Sequence, residues 1–190
     1  MKRLALAAWL LHALLAQAVP LDHPPDTRRP TPADGLAAAR PVLSCKLARH
    51  HKMDLLAAPV GPDTVVLSTR LRGKSQPAFS DAPSRPPVAG KLALRLCLDG
   101  VLVYALQHDG GIRGAVLRRH PDTHKVQRLE FSDTALPYGL YVNGDEMRLV
   151  VPTTGANHAS HYMIYSSRTG QGRPSNMLPS ASKFTFYALQ

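Results

Sequence analysis

Apolar residues recur through this chain in short runs, and turn residues cut each run before a helical period can establish itself. The pattern predicts strands over Val42 to Leu47 and Thr64 to Leu71, separated by a turn at Pro59 to Pro62. From Lys91 onward the signals sharpen. Asp99-Gly100 lies between Leu94 to Leu98 and Val101 to Gln107, and Asp-Gly is favoured where both central turn residues take positive φ. Asp109-Gly110-Gly111 then introduces Ile112 to Arg118, and Pro121-Asp122 precedes Val126 to Phe131. Asn143-Gly144 separates Leu140-Tyr141-Val142 from Met147 to Val151, and the last strands are Tyr162 to Ser166 and Phe184 to Leu189. The reading is all-β, and the pattern alone leaves barrel, sandwich and related closed architectures open.

The N-terminus has a different character. Met1-Lys2-Arg3 is cationic, Leu4 to Leu15 is apolar, and Ala16-Gln17-Ala18 supplies the small residues of a cleavage site. This predicts a signal peptide over 1–18 and a secreted, extracellular product. No other stretch approaches the roughly 20 apolar residues of a membrane span, so no membrane insertion is expected. Residues 19–40 are proline-rich and charged without an apolar period, and read as a flexible leader. Residues 41–92 form an N-terminal extension with two strands and a Gly/Ser/Pro-rich loop over 73–90, and 93–190 form the core.

The formal charge is +10, and +8 without Lys2 and Arg3. Outside the cell such a protein meets polyanions as sulfated glycosaminoglycans, and nucleic acid is not expected as a partner. The cations lie in groups scattered along the chain: Lys46, Arg49 and Lys52; Arg70, Arg72 and Lys74; Arg118 and Arg119; Arg168, Arg173 and Lys183. A β-fold can gather loop positions into one patch, where arginines bind sulfate or carboxylate through two parallel hydrogen bonds. Cys45 and Cys97 allow one bridge, and whether it forms stays open at this point.

No catalytic set stands out. Ser166, Ser167 and Ser180 lie outside any Gly-x-Ser-x-Gly elbow. His120, His124, His158 and His161 read as solvated loop histidines, because Pro121 prevents a helix from aligning the first two. Asp145-Glu146, after Asn143-Gly144, reads as a hydrated hairpin tip. No enzyme activity, cofactor or metal is expected.

Residues 93–190 resemble the fibroblast growth factor family through several short motifs in the family's order. Arg95-Leu96-Cys97-Leu98-Asp99-Gly100 resembles its opening Leu-Tyr-Cys strand and turn, and Asp109-Gly110-Gly111-Ile112-Arg113-Gly114 its Asp-Gly-x-Val-x-Gly element. Arg128-Leu129-Glu130-Phe131 is similar to the Leu-Glu-Phe strand, and Gly139-Leu140-Tyr141-Val142 to Gly-Leu-Tyr-Leu. Tyr162-Met163-Ile164-Tyr165-Ser166-Ser167 resembles Tyr-Asn-Thr-Tyr-Ser-Ser, and Lys183-Phe184-Thr185-Phe186 the closing Lys-Phe-Thr strand. Leu96 stands where the family carries a tyrosine, and Met163 where it carries an asparagine. The segment 168–182 is shorter than the family's, and Thr169-Gly170-Gln171-Gly172 matches either its glycine box or an earlier turn.

The resemblance implies a β-trefoil in which Cys97 is a lone buried thiol. It also implies a growth-factor-like, mitogenic ligand for a fibroblast growth factor receptor-like tyrosine kinase ectodomain, with heparin or heparan sulfate as co-receptor. Leu96, Tyr162 and Tyr165 would then contact the receptor, and Arg168, Arg173 and Lys183 the sulfated chain. The alternative is an immunoglobulin-like β-sandwich acting as a secreted binding or decoy module, in which Cys45 and Cys97 bridge the sheets. The core tryptophan usual beside such a bridge is missing, since Trp9 is the only tryptophan.

Overall fold

The computed structural model describes residues 39–80, 86–153 and 159–190. The expected signal peptide lies outside them, as does most of the leader. All regular structure among the described residues is β, with no helix. The strands are β1 (Arg40–Ala48), β2 (His51–Pro59), β3 (Val65–Leu71), β4 (Lys74–Pro77), β5 (Ala89–Leu98), β6 (Val101–His108), β7 (Gly111–Arg119), β8 (Val126–Asp133), β9 (Gly139–Val142), β10 (Met147–Pro152), β11 (Tyr162–Ser166), β12 (Gly172–Ser175) and β13 (Thr185–Ala188).

Local turn chemistry sets the β5–β6–β7 meander. Asp99 and Gly100 have φ of 42° and 81°, and Asp109 and Gly110 of 46° and 76°, the left-handed pairs that match the twist of two-residue hairpins. Asn143 works differently. Its side-chain oxygen accepts hydrogen bonds from the amides of Asp145 and Glu146 at 3.0 and 2.8 Å, so the β9–β10 connection is a longer loop organised by an asparagine.

β1, β2, β3, β5, β6, β7 and β8 follow one another in a sheet of antiparallel neighbours, with β4 paired to β3. β3 and β5 share only two residue pairs, Val65 with Gly90 and Val66 with Ala89. A second sheet has the order β12-β11-β10-β9-β13. The hydrophobic interior is divided between the two faces of β6. Leu102, Tyr104 and Leu106 join Met53, Leu55 and Leu67 in one cluster, while Val101, Val103 and Ala105 join Phe131, Leu140 and Leu149 in another. The β1–β4 strands therefore cover one face of the β5–β8 strands, and the β9–β13 sheet covers the other. A bulge between Leu92 and Leu94 reverses the parity of β5, turning Leu94, Leu96 and Leu98 toward the second cluster.

Parity also turns Cys97 toward β1, where it forms a disulfide with Cys45. Cys97 is thus bridged and exposed, not the lone buried thiol that the resemblance implies. The link spans 52 residues of sequence. Closing a loop of that length in the unfolded chain corresponds to about 4 kcal/mol of stabilisation in the chain-entropy account. The disulfide is compatible with a secreted protein, and no helix among the described residues is long and apolar enough to cross a membrane.

β2, β4 and β12 were not among the expected strands. β2 carries Met53, Leu55 and Ala57 into the first core, but it opens on the His50-His51-Lys52 basic run, which reads as solvated surface. β4 is exposed along its whole length, and β12 reads Gly-Arg-Pro-Ser, so neither has an apolar period to detect. The boundary expected at 92/93 falls inside β5.

Candidate functional site

Leu140, Met147, Leu149, Met163, Tyr165 and Tyr187 turn into the second core. Strand alternation then directs Tyr141, Arg148, Ile164, Arg173 and Phe186 to the outer face of the β9–β13 sheet. There the aromatic rings cluster. Tyr141 and Phe186 have centroids 4.8 Å apart, Phe186 and Tyr138 5.8 Å, and Phe184 meets Tyr141 edge-on at 6.5 Å. Tyr138 remains 41% and Phe186 38% exposed, so the cluster is a surface feature.

Two local devices hold it. Phe186 lies over Gly139, where a Cβ would come within 2.3 Å of Phe186 Cε2; only glycine leaves room for the ring. The Arg148 guanidinium stacks on Phe184, 4.9 Å from the ring centroid, and donates to Glu146 Oε2 at 3.0 Å. Burial and the nearby Tyr138 and Tyr162 phenols raise the pKa of Tyr141.

Arg148 also joins the platform to a cleft of 390 Å³ lined by Glu146, Ile164, Ser166, Arg168 and Arg173 among others. Glu146, expected to be hydrated, is only 5% exposed. Burial pushes its carboxyl up. Hydrogen bonds from Arg148 and from the Ser166 hydroxyl at 2.5 Å, with the charges of Arg148 and Arg168, outweigh that, and the net shift is downward. The cleft therefore holds one engaged carboxylate among three arginines.

Of the residues expected to bind sulfate, Arg168 and Arg173 line this cleft together. Lys183 does not line it; its amide donates to Ser180 O in the turn before Phe184. The expected receptor residues separate. Leu96 and Tyr165 pack against the second core, and the Tyr165 hydroxyl donates to Ser132 O at 2.6 Å and lies 3.2 Å from Asp133 Oδ2. Burial, then the Asp133 charge, pushes that phenol up to about 12. Tyr162 sits on the outward parity of β11, with its ring edge-on to His161. Tyr138, Tyr141, Phe184, Phe186 and Arg148 form the platform that sequence reasoning did not assemble. They come from three stretches of the chain, around β9, β10 and β13, and the β9–β13 pairing that makes them neighbours has no local signal.

His158 lies outside the described residues. His120 gathers with Asp122 and Asp145, not with His124 or His161, in a group whose ligand atoms lie within 4.8 Å of one another. Its Nδ1 accepts from the Asp122 and Thr123 amides at 3.2 and 3.4 Å, so that nitrogen is already engaged in ordering the β7–β8 turn. No family model, curated protein or solved structure matches the chain.

Proposed function

We propose that this chain is a secreted binding protein, not a catalyst, that docks on a protein ectodomain through the outer face of its β9–β13 sheet and holds sulfated sugar alongside. The observation that carries this reading is the Tyr138–Tyr141–Phe184–Phe186 ring cluster, open to solvent at Tyr138 and Phe186, with Arg148 stacked on Phe184. Aromatic residues and arginine are enriched at protein interfaces, where the rings offer large contact area and tyrosine and arginine add a polar or charged handle. Arg168 and Arg173 in the adjoining cleft supply the fixed cations that a sulfate or a partner carboxylate would meet.

Two narrower readings share this face. The sandwich-type binding or decoy module draws support from the disulfide between β1 and β5 and from the division of the interior across β6 into two cores. A trefoil would instead gather its hairpins around one pseudo-threefold axis and a common core. The growth-factor-like ligand, with a receptor tyrosine kinase ectodomain and heparan sulfate as partners, draws support from the ordered motifs over 93–190. Against it, Leu96 and Tyr165 pack, partly buried, against the second core.

Adding purified protein to matched cells with and without fibroblast growth factor receptors distinguishes them. Receptor phosphorylation in the first cells alone supports the ligand. Absence of phosphorylation together with blockade of an added growth factor supports the decoy, the outcome expected here. Neither response rejects both.

A further inference from the structure

A second cationic site lies away from the platform, where the first sheet ends. The tips of the β1–β2 and β3–β4 hairpins, at Arg49-His50 and Arg72-Gly73, lie beside the end of β7 at Arg119. His51 is the point of convergence. Its Nε2 is in very close contact with Arg72 Nη2, and it feels the charges of Arg119, Arg72, His50 and His124. Because the guanidinium can only donate, Nε2 accepts and the ring proton resides on Nδ1. That nitrogen is enclosed, with no hydrogen-bond partner among the described residues. Burial first, and then these surrounding cations, lower the His51 pKa.

Bringing like charges together is unfavourable, and here no acid relieves it. Arg49, Arg72 and Arg119 have no carboxylate partner among the described residues. Asp54, the carboxylate nearest in sequence to His51, is already taken by Arg70 at 2.9 Å and Lys52 at 3.3 Å. The surface beside these cations is a shallow hollow of 430 Å³ lined by Ser44, Lys46, Arg49, His50, His51 and Lys52. It is open, not enclosed. Several unrelieved cations spread over adjoining hairpin ends fit a chain of repeated anions better than a single small one.

We propose that this end of the molecule is a binding site for a sulfated glycosaminoglycan, with Arg49, Arg72 and Arg119 as its principal contacts, separate from the Arg168–Arg173 cleft. Sulfate esters spaced along a polysaccharide would meet the arginine forks in turn, and the bound anions would offset the mutual repulsion around His51. The site does not depend on the docking role given to the β9–β13 face, and it stands if that role fails.

The test compares heparin-affinity elution of the secreted wild-type protein with two triple variants, Arg49→Gln/Arg72→Gln/Arg119→Gln and Arg168→Gln/Arg173→Gln/Lys183→Gln. The first is expected to elute at clearly lower salt than wild type and to bind heparin on the order of 10- to 100-fold more weakly at 0.15 M salt, the loss typical when several counter-ion-releasing contacts disappear. In wild type, a heparin hexasaccharide should raise the His51 titration midpoint measured by NMR. If the first variant keeps its near-ultraviolet circular dichroism and elutes with wild type, the proposal fails. If phosphatidylserine vesicles bind wild type as tightly as heparin does, the sulfated-sugar assignment is wrong.

Discussion

Asp54 is the residue that ties the first three strands side by side. Ser44 of β1 donates to Oδ1 at 2.6 Å, and Arg70 of β3 donates to Oδ2 at 2.9 Å. These partners stand directly opposite Asp54 in register on either side, so one carboxylate spans both strand interfaces. The Ser44 hydrogen bond is the main force holding its pKa down; burial opposes it, and Arg70 and Lys52 add to it. A carboxyl whose folded pKa lies below its unfolded value stabilises the fold fully above the unfolded value, near 4, and loses that contribution as pH falls through the folded value. Urea midpoints of wild type should therefore drop as pH falls below about 4. Asp54→Asn should cost about 1–2 kcal/mol at pH 7 and flatten that acid limb. An unchanged limb would mean that the carboxylate is not engaged in solution.

Residue-scale chemistry was only partly legible in the sequence. The Asp-Gly turns can be read directly because φ preference is local. Glu146 reads as a hydrated hairpin carboxylate and Arg118 as one of the scattered cations, yet both are buried. Arg118 donates to the Asn143 and Gly144 carbonyls at 2.5 and 3.1 Å and to Gln127, joining β7 and β8 to the β9–β10 loop. Burial of that kind depends on which sheet covers which, and no local signal carries it.

At the scale of elements, β9 and β13 matter most for function. Their pairing sets Phe186 opposite Tyr141, and Gly139 leaves the space in which the Phe186 ring lies. Gly139→Ala should force that ring off the sheet and cost roughly 1–3 kcal/mol of stability through overpacking. Thermal melts of the variant check the cost, and a Tm equal to that of wild type would show that the ring is not seated there. The strands the sequence displays best are β6 and β7, apolar runs set off by Asp-Gly turns, and β8, which alternates through Leu129-Glu130-Phe131. β12 is invisible to such reading, because Arg173 and Pro174 contribute to the cleft and the edge and bury no apolar face.

Among the described residues, β6 is buried on both faces, and the β1–β4 and β9–β13 strands pack on opposite faces of the β5–β8 strands. Motif order along 93–190 cannot report that layering, since order in sequence does not determine which faces stack. No described strand packs on the other side of the β9–β13 sheet, and that side holds the aromatic–arginine platform. The most direct test is saturation binding of labelled protein to intact cells treated with heparinase, comparing wild type with Tyr138→Ala/Phe186→Ala. Wild type should bind saturably and in a trypsin-sensitive manner, with the variant at least about tenfold weaker, as expected when interface anchors are truncated. Equal binding by a correctly folded variant would contradict the assignment of this face as the docking surface.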